Sequence, residues 1–205
     1  VFALGMPGLH AGEVPEGKLH LIASDGHARY ATHGYSEAIA VDSSKLYFAY
    51  MSGGEKFESK AWSYDLKDFT MTGPVDLDGR NADPHNYPNL TLDRLGRLHV
   101  VYGCHSNPMY YRHLKKASDI SSWTPVRELM TNATYPRIFT RENGNLVVFY
   151  RDLSDGNHYG YIESTDNGAT WSPFRALLRG GEGWTSVAYV GGVLVKGDDI
   201  HIAWS

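Results

Sequence analysis

The amino-acid sequence predicts an all-β protein made of repeated units of four antiparallel strands. Short runs rich in β-branched and aromatic residues alternate with turns rich in glycine, asparagine and aspartate, a pattern typical of strands. No segment keeps an apolar period of about 3.6 residues long enough for a substantial helix. The strand-like runs recur roughly every 50 residues, which is typical of the blades of a β-propeller.

The strands of each unit follow one another in a fixed order. A short apolar first strand leads through a turn into a second strand that ends in an aromatic residue, and a polar-aromatic third strand follows. First strands are predicted at residues 38–41 and 90–92, second strands at 46–50, 98–102, 147–150 and 200–204, and third strands at 59–64, 109–113 and 158–163. An aromatic residue then closes each of the first three units: Phe69, Trp123 and Trp171.

These repeats divide the chain into blades. We expect blades at residues 32–80, 81–132 and 133–182, an incomplete blade at 183–205, and an N-terminal segment at 1–31. About three and a half blades cannot close a ring, because propellers usually contain about four to eight. The 205 residues are therefore expected to be part of a larger propeller.

Residues 164–171, STDNGATW, match the Asp-box pattern S-x-D-x-G-x-x-W of sialidase-like propellers. The pattern suits a tight turn between the last two strands of a blade. Asp166 and Asn167 can bond back to turn amides, Gly168 can take a positive φ, and Trp171 can pack between blades. This motif predicts a fold and carries no catalytic information.

The composition excludes several classes of protein. A formal net charge of −4 without basic runs argues against nucleic acid as a partner. No apolar run approaches the roughly 20 residues that a membrane crossing requires. The single cysteine, Cys104, excludes an internal disulfide framework and a zinc site with several cysteines, and a buried structural thiol is expected.

Polar residues of types that serve in catalysis and ligand binding lie at one rim of the predicted blades. The start of a first strand and the end of a second strand lie at the same edge, because a short turn joins the two strands at the other edge. First-strand starts supply His33, His85, Asn86, Tyr135 and Arg137, and second-strand ends supply Tyr102, Cys104, His105, Tyr150 and Arg151. Convergent polar groups of this kind predict an active site.

Histidine, tyrosine and arginine without a prominent acidic pair indicate β-elimination from a uronic acid. The reaction needs a cation to neutralise the carboxylate, a base to take the C5 proton, and an acid to protonate the departing O4. Arginine or a charged histidine suits the first role, and a neutral histidine suits the second. Tyrosine can supply the proton, or act as both base and acid if its surroundings lower its pKa from about 10.

Two segments resemble the BNR-type propeller polysaccharide lyases, which include ulvan lyases and rhamnose–glucuronate lyases. They are residues 83–90, DPHNYPNL, and residues 96–105, GRLHVVYGCH. The resemblance implies a seven-bladed propeller that cleaves rhamnose-1,4-uronate bonds by β-elimination. It also implies that His85 and His105 are active-site histidines and that Tyr150 is the catalytic tyrosine.

The expected substrate-binding residues are Asn86, Arg137, Arg151 and His33. Arg137 and Arg151 are both candidates for the arginine that neutralises the carboxylate, and Arg137 could instead lie on the opposite face of its strand. The expected partner is an acidic polysaccharide, the expected location is extracellular, and the chemistry requires no cofactor. A structural cation is compatible with the sequence, although no ligand set is evident.

Two other functions fit parts of the pattern. The Asp-box suggests a sialidase-like glycoside hydrolase, but such enzymes need acidic residues, and the nearest at the rim are Asp83 and Asp152. A non-catalytic carbohydrate-binding propeller would use the rim aromatics to stack on sugars. Of two N-glycosylation sequons, at residues 89–91 and 132–134, only the second is compatible with an attached glycan, and only in a eukaryotic secretory host.

Overall fold

A computed structural model describes residues 23–26, 39–53, 57–81, 85, 87–154, 156–179 and 189–204. The predicted site residues His33 and Asn86 lie outside these ranges, as does the start of the fourth repeat at residues 184–186. Every regular element in the described ranges is a β-strand, and all strand pairs are antiparallel, which confirms the all-β prediction. Within these ranges no helix is long and apolar enough to cross a bilayer.

The first sheet has four strands in sequential order. They are β1 (Ile39–Val41), β2 (Lys45–Met51), β3 (Phe57–Asp65) and β4 (Met71–Asn81). In β3 buried and half-buried residues largely alternate, as expected where a sheet packs on a neighbouring layer, whereas Tyr47, Phe48 and Ala49 of β2 are buried in succession.

The next seven strands form one continuous sheet. In chain order they are β5 (Asn89–Leu92), β6 (Leu98–Tyr102), β7 (His105–His113), β8 (Arg127–Thr140), β9 (Leu146–Asp152), β10 (His158–Ser164) and β11 (Arg175–Leu178). The predicted boundary between two blades, at residues 132 and 133, falls inside β8. The first part of this 14-residue strand pairs with β7, and its last part pairs with β9.

A final pair, β12 (Val190–Lys196) and β13 (Asp199–Trp204), forms a two-stranded sheet. The second strands predicted from the repeat correspond to β2, β6, β9 and β13. The number of blades in the complete protein stays a prediction.

Three clusters of buried apolar side chains lie between successive units. One joins the first sheet to β5 and β6, with Tyr47, Leu98 and Trp123 among its members. The second lies among β6 to β10, and the third joins β8 to β10 with β12 and β13. Each buried large side chain contributes roughly 1.5–3 kcal/mol, so these contacts hold successive units against each other.

The segment predicted as an Asp-box folds as a tight turn between β10 and β11. The Asp166 carboxylate accepts hydrogen bonds from the backbone N–H and the hydroxyl of Thr170, at 2.8 and 2.6 Å. These bonds, led by that of the hydroxyl, lower the pKa of Asp166 to about 2. Gly168 has a φ of 84° and its N–H donates to the Ser164 hydroxyl. Trp171 meets the ring of Tyr111 edge-on at 5.4 Å, so the turn contacts the preceding unit.

A network of buried polar side chains lies next to this turn. His99 and Asp93 are almost completely inaccessible to solvent. The His99 ring contacts the Tyr111 hydroxyl through Nδ1 at 2.7 Å and the Asp93 carboxylate through Nε2 at 3.1 Å. Burial lowers the pKa of His99, although Asp93 opposes the shift. Burial also tends to raise the pKa of Asp93, but hydrogen bonds from His99 and Arg97 outweigh it and hold that pKa well below its usual range.

Candidate functional site

A single row of residues runs across three strands of the seven-stranded sheet. His105 of β7 lies opposite Thr134 of β8, and Thr134 lies opposite Arg151 of β9. Neighbouring strands are about 4.8 Å apart, and directly opposed residues point to the same face of a sheet. The row therefore brings a predicted histidine and a predicted arginine to one face.

The backbone is irregular on both sides of this row. The register between β7 and β8 shifts between His105 and Asn107, and that between β8 and β9 shifts between Thr134 and Arg137. Ser106 has a φ of 60° and Tyr135 a φ of 55°. A positive φ is uncommon for an aromatic residue, and such strain and bulges concentrate at functional sites because they redirect side chains.

Two histidines and Tyr135 form a compact group at this edge. The His85 and His105 rings stack with centroids 4.3 Å apart, and the Tyr135 ring is 5.4 Å from that of His105. The Tyr135 hydroxyl lies 3.4 Å from His105 Nε2, within reach of a proton transfer after a small adjustment. All three side chains are partly exposed, so a ligand can reach them.

Arg151 lies against this group and is 2% exposed. Its guanidinium carbon is 5.3 Å from the ring centroid of Tyr135 and 5.3 Å from that of Tyr189. Nε and Nη1 have no hydrogen-bond partner in the described part of the chain. A buried guanidinium with unused donors is costly unless an anion binds it, and its planar donors match a carboxylate.

Arg137 lies on the same face, further along β8, where it is opposite Phe149. It is buried, and its Nη2 donates to the backbone oxygen of Val190 at 3.4 Å. Arg151, the other candidate arginine, contacts the tyrosine of the histidine group.

Tyr150 is placed differently from Arg151, although it precedes it in the chain. Consecutive residues of a strand point to opposite faces, and Tyr150 belongs to the apolar cluster among β6 to β10. Its ring is 5.0 Å from that of Phe174, and its hydroxyl has no hydrogen-bond partner among the described residues. Burial raises the pKa of this phenol. The structure thus packs Tyr150 in the core, whereas His85, His105, Tyr135 and Arg151 come together.

Cys104 is a free, fully buried thiol, and burial raises its pKa, so it stays protonated. Among the described residues, no group of three or more histidine, cysteine, aspartate or glutamate side chains is arranged to hold a metal ion.

The sequence-based site left out Tyr189 and placed Tyr135 at the rim without a catalytic role. A signal for both was present in the repeat. Tyr87, Tyr135 and Tyr189 recur at intervals of 48 and 54 residues, each just before a first strand or within its start. Aromatic residues that recur at the rim of successive units could have identified the ring pair that contacts Arg151.

Comparisons with known proteins agree with this architecture. The model of a family described as "BNR repeat-containing family member" matches residues 45–205. No curated protein sequence is significantly similar to the chain. A solved ulvan lyase of polysaccharide lyase family PL25 superposes with a TM-score of 0.65 at 22% identity, covering 82% of this chain and 46% of its own.

A PL25 ulvan lyase solved with -[GlcA(1-4)Rha3S]- bound gives a TM-score of 0.64, also at 22% identity, with 82% of this chain and 46% of that chain covered. The polysaccharide lyase Uly1 gives 0.61 at 15% identity, with 82% and 48% covered. The chain thus spans slightly less than half the length of these structures. At these identities the likeness establishes a shared fold.

Proposed function

Because the chain belongs to the BNR repeat-containing family, we propose that the cluster at the edge of β7 to β9 is the active site of a polysaccharide lyase. The proposed reaction is β-elimination at a 4-linked uronic acid. One observation carries it: a buried arginine with unused donors adjoins a tyrosine and two stacked histidines. A carboxylate-binding cation next to proton-transfer groups is what this elimination requires.

In the proposed mechanism Arg151 binds the uronate carboxylate. Its positive charge stabilises the negative charge that develops at C5 and on the carboxylate when the C5 proton leaves. Tyr189, which is 40% exposed, lies beside Tyr135 with the two ring centroids 6.4 Å apart, and both rings contact the guanidinium.

Tyr135 is the proposed base and acid, in preference to the sequence-based assignment of Tyr150. His105 Nε2 accepts the phenol proton, and the phenolate then removes the C5 proton. The electron pair of the C5–H bond forms the C4–C5 double bond, the C4–O4 bond breaks, and O4 receives a proton from the phenol. The protonated His105 then returns its proton to the phenolate, which restores the starting state. His85, stacked on His105, holds that imidazole and borders the sugar.

The proposed substrate is a rhamnose-1,4-uronate polysaccharide such as ulvan, since the site offers a cation and the structural neighbour has an acidic oligosaccharide bound. We further propose that the complete protein is a seven-bladed propeller that acts outside the cell, where such polymers occur. The proton transfers of this mechanism need no cofactor.

The test is to incubate the full-length protein with ulvan and with gum arabic and to follow absorbance in the unsaturated-uronate band. Growth of this band together with new reducing ends is expected. New reducing ends without the band would indicate a hydrolase, and binding without either would indicate a carbohydrate-binding propeller. Failure to produce the band on any rhamnose–uronate polymer would refute the proposal.

A further inference from the structure

We propose that Thr134 is a positioning residue of this site. Its buried hydroxyl holds together the two backbone bulges that carry His105 and Tyr135, and it thereby sets the distance between imidazole and phenol. The inference rests on the proposed function wherever activity is measured, and it makes a second claim that can be tested without a substrate.

The position of Thr134 is the first argument. It is fully buried and lies between His105 and Arg151 in the row across the three strands. Its Oγ1 accepts a hydrogen bond from the Ser106 backbone N–H at 2.8 Å. Ser106 directly follows His105, and Tyr135 directly follows Thr134. One hydroxyl therefore connects the peptide after the histidine to the residue before the tyrosine.

The irregular backbone is the second argument. In a regular antiparallel pair, the ladder of backbone hydrogen bonds sets the position of each side chain. Here the register shifts on both sides of Thr134, so the ladder is interrupted where His105 and Tyr135 leave the sheet. The bond from the Ser106 N–H to the Thr134 hydroxyl replaces part of that ladder.

The chemistry of the side chain is the third argument. Valine has nearly the volume of threonine but cannot accept a hydrogen bond, so it would leave the Ser106 N–H without this acceptor. The same contact gives the threonine of the predicted sequon at residues 132–134 a structural reason that does not involve a glycan.

The experiment compares Thr134→Val with Thr134→Ser, which keeps the hydroxyl. Thr140→Val is the matched control, because Thr140 also lies on β8 and its hydroxyl donates to the backbone oxygen of Leu92 at 2.7 Å, at the strand end away from the site. Steady-state kinetics, the pH profile of kcat and thermal unfolding are measured on the full-length proteins. If Thr134→Val does not fold, Thr134→Ala is assessed by the same criteria.

Thr134→Val should lower kcat by about 10- to 100-fold, with KM changed by less than about threefold, because a displacement of about 1 Å has effects of this size. Its pH profile should also change, since the coupling of His105 to Tyr135 is altered. The kcat of Thr134→Ser should stay within about threefold of the wild-type value. Thr140→Val should lower the unfolding temperature to a similar extent but keep kcat within about twofold.

The inference is overturned if Thr134→Val keeps more than half of the wild-type kcat. It is also overturned if kcat falls as far in Thr134→Ser or in Thr140→Val as it does in Thr134→Val. An inactive wild type would instead refute the proposed function. The imidazole NMR resonances of His105 then decide the second claim. These resonances should shift in Thr134→Val and not in Thr140→Val. If the resonances of Thr134→Val equal those of the wild type, the inference is wrong.

Discussion

Removing one hydroxyl from each of two tyrosines should have opposite consequences. Tyr135→Phe removes the phenol oxygen that lies 3.4 Å from His105 Nε2. Tyr150→Phe removes an oxygen that is buried without a hydrogen-bond partner among the described residues. Both variants keep the ring and its packing, so each isolates the contribution of a single oxygen atom.

Tyr135→Phe should lower the reaction rate by the amount that a general acid–base group contributes. Such groups contribute about 10²- to 10⁴-fold in rate, which corresponds to roughly 3–5.5 kcal/mol of activation free energy. Substrate affinity should change little, because in the proposed mechanism it is Arg151 that binds the carboxylate. The loss should therefore appear in kcat.

For Tyr150→Phe the expected change is in stability. A buried polar group without a partner costs about 1–3 kcal/mol of desolvation, and phenylalanine avoids this cost. We expect the free energy of unfolding to rise by roughly 1 kcal/mol and kcat to stay within about twofold of wild type.

The assay is the growth of unsaturated-uronate absorbance under saturating ulvan, with denaturant unfolding of each variant as the control for folding. The geometric reasoning is refuted if Tyr150→Phe loses more than tenfold in kcat while Tyr135→Phe stays near wild type. That result would establish the sequence-based assignment of Tyr150 instead.

Three further predictions concern the arginine, the tight turn and the buried histidine. Arg151→Gln should lower kcat/KM by about 10²- to 10³-fold, as for the loss of one charge-stabilising donor, and a loss below tenfold would contradict its role. Gly168→Ala should cost about 2–4 kcal/mol in urea unfolding, since the positive φ strains alanine and its Cβ would overlap the Tyr111 hydroxyl. Burial lowers the pKa of His99, so below about pH 6.5 the unfolded chain binds a proton that the folded chain does not. The free energy of unfolding should therefore decrease as the pH is lowered, while Asp93 stays ionised. Urea unfolding at pH 7 and 5 measures this slope, and an equal slope in His99→Gln would contradict the assignment.

The second and third strands of the units could be predicted from the sequence because each carries its own local signal. The run at residues 98–102 is flanked by turn residues and ends in an aromatic residue, and β6 has the same bounds. The common edge for His85 and His105 also followed from the hairpin geometry of one unit. The structure brings their rings to 4.3 Å.

Features that depend on two strands at once could not be predicted in the same way. The boundary predicted at residues 132 and 133 lies within β8, which pairs first with β7 and then with β9, and no local pattern states which partner a strand has. The alternation of faces shows that Tyr150 and Arg151 point apart, but not which of them faces the core. The positive φ of Tyr135 arises from the register shift in β8, which is a property of the pairing.

The continuity of β8 has a consequence for motion. Since a single strand is hydrogen-bonded to both neighbours, the second and third repeats cannot swing relative to each other without rupture of that ladder. The pairing of β8 with both neighbours thus fixes the spacing of the His105 and Arg151 backbones before any ligand binds. Any larger closure over a ligand has to come from loops or from other parts of the protein, and not from a rotation of one repeat against the other.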